Sequence, residues 1–160
     1  GKRDCLGGRL GQNECGTSSH RLIWRRDMFA NTQMGGVNFG FPDVCLTPAP
    51  PAPAPVPIPY PNVAAGPMGV PAAYNVLMGY APAHNMGTTI PLSNGDNPGL
   101  ATGVASATVM GPTRHITAAF TVLVNGMPLT RLTSVSIQNN TNCPGMRVAP
   151  SQVQVLVLSA

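Results

Sequence analysis

The chain has 160 residues, with 43% hydrophobic, only 9% charged, and 18 each of glycine and proline. That length fits a single domain, and so few charges exclude a broad ionic surface for gripping nucleic acid, since ordinary globular domains are about one quarter charged. The formal net charge of +4 is concentrated: Lys2, Arg3, Arg9, Arg21, Arg25 and Arg26 outnumber Asp4, Glu14 and Asp27, whereas Arg114, Arg131 and Arg147 are nearly balanced by Asp43 and Asp96.

Residues 1–27 hold Trp24, Cys5, Cys15 and His20 and show neither strand alternation nor helical periodicity. They read as a disordered or non-native extension, with Met28 opening the folded unit, residues 28–160. The sequence has no apolar run long enough for a signal-peptide core or a transmembrane helix. The expectation is a chain made in the cytoplasm, where Cys45 and Cys143 favour metal binding or inert thiols over a disulfide.

From Met28 onward, short runs of Val, Ile, Leu and Thr alternate between turn residues, the pattern of an all-β protein built from short hairpins. Residues 48–61, PAPPAPAPVPIPYP, contain 8 prolines. Proline lacks an amide donor and cannot sit in a central strand. The run is therefore expected to be an extended polyproline strap, packed on the face that carries Val56, Ile58 and Tyr60. Further along, FTVLVNGMPLTRL predicts a hairpin about Asn125-Gly126, a pair suited to a type I′ turn. The closing SQVQVLVLSA, apolar at successive positions, is expected to be a strand buried on both faces.

The Cys and His residues after Met28 are Cys45, His84, His115 and Cys143, each placed at a turn. Their long separations are unlike the short pairings of familiar zinc motifs, yet their even spread suits successive β units that each bring one loop to a common point. Two thiolates and two imidazoles would make a chemically sensible zinc tetrahedron. The other reading open to the same residues is a small buried thiol and histidines bonded to loop carbonyls.

The blocks FANTQMGGVNFGFPDVCLTP, PYPNVA, PAHNMGTTIPLSNGDNPG, GVASATVMGPTRHITAAFTVLVNGMPLTRLT, QNNTNCPG and PSQVQVLVLS resemble the PAAR-like family of bacterial domains. The resemblance covers residues 28–160. It implies a small cone-shaped, turn-rich all-β tip protein that caps the trimeric spike of a type VI secretion system or a related contractile injection machine. Such a protein sharpens the spike for membrane puncture and effector delivery and is no enzyme. One copy would serve each spike trimer, effectors or adaptors being further partners. It would meet a membrane only during puncture and leave the cytoplasm on the spike, for the extracellular space or a target cell. It would carry one zinc per chain, for which Cys45, His84, His115 and Cys143 are the available ligands. PAAR proteins proper are described with three His and one Cys, so water, Asn139 or Asn142 is the alternative to Cys143. The docking edges expected for a trimeric partner lie in YNVLMGY, TVLVNGMPLTRL and SQVQVLVLS.

Two readings of other classes compete. A cysteine hydrolase would use Cys45 with His84 or His115 as base and Asp43, Asn85 or Asp96 to orient it, although no nucleophile signature surrounds Cys45. A proline-rich adaptor would present residues 48–61 to an aromatic groove.

Overall fold

The computed structural model describes residues 28–51 and 53–158, so the expected extension with Trp24, and the boundary drawn after it, lie outside the described residues. Among the described residues there is no α-helix. Strands account for the regular structure: β1 (Met28–Phe29), β2 (Val37–Thr47), β3 (Val56–Ala65), β4 (Ala73–Met78), β5 (Ala81–Ala83), β6 (Thr89–Ile90), β7 (Thr113–His115), β8 (Ala119–Val124), β9 (Met127–Leu129), β10 (Val135–Gln138), β11 (Cys143–Ala149) and β12 (Leu156–Val157). The all-β expectation holds.

Asn125 and Gly126 take positive φ values of 54° and 76°, the type I′ geometry that matches the twist of a hairpin. They join β8 to β9 as the sequence predicts, pairing Val124 with Met127 and Leu123 with Pro128. The hairpin β4–β5 repeats this register, pairing Met78 with Ala81 and Leu77 with Pro82. A third copy is assembled from the two ends of the described chain, where β12 meets β1 with Val157 opposite Met28 and Leu156 opposite Phe29.

These units are joined head to tail. Asn31 N–H donates to the Thr130 carbonyl at 3.0 Å, Thr130 N–H to that of His84 at 3.1 Å, and His84 N–H to that of Asn31 at 2.9 Å, a closed triangle of main-chain bonds. One turn of chain further on, Gln33, Met86 and Leu132 donate to Pro82, Pro128 and Phe29 at 2.9, 2.8 and 2.8 Å. The bridges Ala30–Arg131, Thr32–Ala83 and Asn85–Leu129 obey the same rotation. The apolar core follows it as well: Ala73, Ala83, Ala119, Val124, Leu129, Ala30 and Val157 are buried together, with Val76, Met78, Val122 and Val155 packed against them. Small side chains at these positions let three main chains approach one another closely.

The remaining strands form one sheet in the order β3-β2-β11-β10-β7-β6. The strap is more than a polyproline run, because its second half is β3, paired antiparallel with β2 with Ile58 opposite Cys45 and Tyr60 opposite Asp43. Proline survives there because β3 is an edge of this sheet. Pro57, Pro59 and Pro61 alternate with Val56, Ile58 and Tyr60, so the residues without an amide donor are those whose amide would point away from β2. Where the prolines stop, the outer edge pairs at once, Val63 and Asn94 exchanging main-chain bonds of 2.8 Å each.

The expected last strand is corrected. Regular pairing is confined to Leu156–Val157; Val157 is buried, while Val153, Leu156 and Leu158 are exposed. The cause is Gln152, whose amide oxygen accepts from the main-chain N–H groups of Gln154 and Val155, both at 2.7 Å. Its amide nitrogen donates to Ala30 O at 3.0 Å and Val155 O at 2.8 Å. A side chain that bonds its own neighbourhood in this way competes with the sheet ladder and bends the chain.

Candidate functional site

Two features of the fold carry chemical information. The first is the triangular base. Each hairpin is a two-stranded sheet, so β4, β8 and β12 each keep one edge without a strand partner among the described residues. Equivalent apolar side chains stand out from them: Leu77, Leu123 and Leu156 are 63%, 62% and 50% exposed. Tyr74, Phe120 and Val153, also equivalent, are exposed too. The aligned segments VPAAYNVLM (70–78), ITAAFTVLV (116–124) and APSQVQVLV (149–157) carry this repeat in sequence. It is faint because only apolar and small residues recur, and the third copy finds its return strand at the opposite end of the chain.

The second feature is a buried polar cluster. Asp43 and Cys45, on β2, and Asp96, in the loop after β6, are each fully buried, and one potential ligand atom from each lies within 4.8 Å of the others. The Cys45 thiol donates to Asp43 Oδ1 at 3.4 Å and approaches Asp96 Oδ2 at 3.9 Å. Burial, then the charge of Asp43 and of Asp96, pushes this thiol up to about 12. Around the acids stand amides: Asn62 Nδ2 donates to Asp43 Oδ2 at 2.6 Å, Asn139 Nδ2 to Asp96 Oδ2 at 2.8 Å and Asp43 Oδ1 at 3.3 Å, and Asn142 Nδ2 to Asp43 Oδ1. Met110 N–H adds a bond of 3.0 Å to Asp96 Oδ2. Burial raises the Asp96 carboxyl, partly offset by that bond, and its Oδ1 is buried with no hydrogen-bond partner. This group could hold a metal ion.

Of the four residues expected to share a zinc, only Cys45 lies in that cluster. Asp43, Cys45 and Asp96 are the one such group of three or more His, Cys, Asp or Glu among the described residues, so no three of Cys45, His84, His115 and Cys143 converge. His84 belongs to the triangle of main-chain bonds, and its Nε2 is buried without a partner. His115 lies on β7 opposite Ser136. Burial, then the charge of Arg147, pushes His84 down to about 3 and His115 to about 4. Cys143, on β11, has its sulfur over the bare Cα of Gly40. Asn139 and Asn142, weighed as stand-in ligands, present amide nitrogens to the cluster: their oxygens are occupied by Gly111 N–H at 3.0 Å and Thr108 Oγ1 at 2.9 Å, and by Ala105 N–H at 2.8 Å.

This arrangement also bears on the hydrolase reading. The polar neighbours of Cys45 are Asp43, Asp96, Asn139 and Asn142, and two carboxylates oppose thiolate formation where a nucleophile needs it favoured. Sequence reasoning nominated Asp43 and Asp96 only as orienting groups for catalysis. The signal it passed over is that these are the sole acidic residues after Asp27, and both are buried.

Residues 36–145 match the family described as toxin PAAR-like domain. No curated protein and no solved structure shows detectable similarity to the chain.

Proposed function

The chain belongs to the toxin PAAR-like domain family, and from that premise we propose that it is a type VI secretion-related spike protein which caps the end of a trimeric spike, one copy per trimer. The observation that carries this reading is the closed triangle of main-chain bonds among Asn31, His84 and Thr130 with its three equivalent hairpins. A single chain can meet three identical subunits equally only if it presents three similar surfaces, and β4, β8 and β12 supply three equivalent strands flanked by the exposed Leu77, Leu123 and Leu156. Isologous or heterologous pairing of one asymmetric patch would leave two of the three subunits unmatched. The contact is apolar and main-chain in character, with few charges available to it.

The role is mechanical: sharpening the spike, puncturing a membrane and carrying an effector or adaptor outward from the cytoplasm, with no catalytic step. One structural zinc per chain belongs to the same reading, as a brace for the segments outside the small apolar core.

The test is native mass spectrometry of the chain mixed with the trimeric spike protein of its own secretion apparatus. One copy per trimer is expected, and the complex should persist at about 1 M salt, where the Debye length falls to about 3 Å. A Leu77→Glu, Leu123→Glu, Leu156→Glu variant should fold and fail to cap. Three copies per trimer, release by salt alone, or capping by the triple variant would refute the reading.

A further inference from the structure

We propose that Asp43, Cys45 and Asp96 hold one divalent ion of the zinc class, with Asn62, Asn139 and Asn142 as the ring that orients them. This assigns the ligands of the zinc in the reading above, yet it concerns the isolated chain and stands or falls separately from capping.

The argument begins with charge. Two carboxylates and a thiol lie buried together, and the groups bonded to them are neutral amides, one main-chain N–H and the thiol itself. Buried negative charge without a cation is costly, and neutral donors relieve only part of that cost. A separate observation points to a ligand: Asp96 Oδ1 is buried and bonded to nothing, in a carboxylate whose Oδ2 is already taken by Asn139 and Met110. The chain also packs closely against Cys45, since a Cβ at Gly99 would overlap Cys45 Cβ, so that any other residue there would displace the thiol.

The donor set selects the ion. Calcium and magnesium prefer oxygen ligands throughout, whereas a thiolate with two carboxylates suits zinc or cobalt(II). Three protein ligands leave a fourth position for water. All three amides present nitrogen to the acids, and the oxygens of Asn139 and Asn142 are engaged by Gly111 and Ala105 N–H groups, which is the arrangement of an outer ring that steers ligating carboxylates. On binding, a metal–sulfur bond forms and the thiol proton leaves to solvent, one proton per ion, so apparent affinity rises with pH. His84 and His115 are disfavoured as partners of a cation by burial first, and then by the charge of Arg147, which acts on both.

The experiment uses the full chain loaded with zinc, and in parallel with cobalt(II). X-ray absorption of the unmutated zinc protein should show one sulfur at about 2.3 Å and oxygens at about 2.0 to 2.2 Å, without imidazole scattering. Cobalt(II) should give a thiolate charge-transfer band that Cys45→Ser abolishes. Asp43→Asn and Asp96→Asn should each weaken binding at least tenfold, whereas His84→Gln, His115→Gln and Cys143→Ser leave stoichiometry and spectrum unchanged. Folded protein that binds no stoichiometric zinc, imidazole in the absorption spectrum, or metal lost on replacing either histidine would overturn the assignment. The first of these outcomes would leave the cluster a hydrogen-bonded network only. Because the absorption measurement needs no substitution, misfolding of a variant cannot shelter the proposal.

Discussion

Lowering the pH from 7 to 5 should destabilise the fold through two histidines. His84 is 1% exposed and His115 5% exposed, and burial followed by Arg147 pushes them down to about 3 and about 4. An unfolded histidine titrates near 6.5. Below that value the unfolded chain takes up protons that the folded chain refuses, so stability present above about 6.5 is lost as the pH falls, until the folded groups titrate in turn. By linkage, each histidine costs the folded state about 2 kcal/mol at pH 5, about 4 kcal/mol together. Asp96 works against this: its carboxyl is raised by burial, so the folded chain gains a proton there earlier than the unfolded one, and about 4 kcal/mol is an upper bound. Urea titration in the presence of a chelator, which removes any contribution from metal loss, should show the midpoint falling by up to about 2 M for a slope of roughly 2 kcal/mol/M. The double variant His84→Gln, His115→Gln should flatten the dependence. Equal midpoints at pH 7 and 5, or an unchanged difference in the double variant, would refute the reasoning.

Three further outcomes are expected. Leu129→Ala removes a side chain that is 1% exposed at the centre of the triangular core, and denaturant titration should record a loss of about 2 to 5 kcal/mol. Gly126→Ala should cost about 1 kcal/mol through φ alone, because a Cβ there would meet nothing within 4 Å; a neutral result would mean that the turn relaxes. Replacing Pro57, Pro59 and Pro61 by Thr restores amide donors along the outer edge of β3, and sedimentation velocity should then show concentration-dependent self-association that the parent chain lacks.

What the sequence disclosed depended on whether a local signal had one physical meaning. Asn125-Gly126 between apolar runs has one, and the β8–β9 hairpin stands where it predicts. YNVLMGY and TVLVNGMPLTRL were legible as hairpin segments for the same reason, each holding a short apolar strand. Alternating proline has two meanings, a free polyproline helix or an edge strand, and only the partner β2 decides between them. The apolar tail from Val153 was misread because Gln152 bends it with three local hydrogen bonds, a competition that hydrophobic pattern does not encode. The ligand set failed to assemble because residue type was the sole guide: His84 is placed by a main-chain triangle indifferent to its side chain, as its equivalents Thr130 and Asn31 demonstrate.

The same equivalence explains why the polar cluster lies where it does. Threefold correspondence runs through the hairpins and the turns that follow them, and there the core is Ala, Val and Leu held by repeated main-chain bonds. Asp43, Cys45, Asn62, Asp96, Asn139 and Asn142 all come from segments without counterparts in the other units: β2 beyond its first residues, the end of β3, and the loops after β6 and β10. A symmetric base can bury apolar surface three times over with one solution, whereas each asymmetric segment must find its own partner. Fully buried Asn62, Asn139 and Asp96 replace an apolar core there by directional bonds, which fix position but contribute little net stability apiece. The two regions therefore answer to different perturbations. Apolar truncation should unfold the base, while removal of a carboxylate or thiol should loosen the segments beyond it and leave the triangle intact. Hydrogen exchange on Asp43→Asn tests this division: faster exchange confined to residues 40–62, 93–111 and 139–145, with the amides of Asn31, His84 and Thr130 still protected, is the expected result, and uniform acceleration would show the two regions to be one cooperative unit.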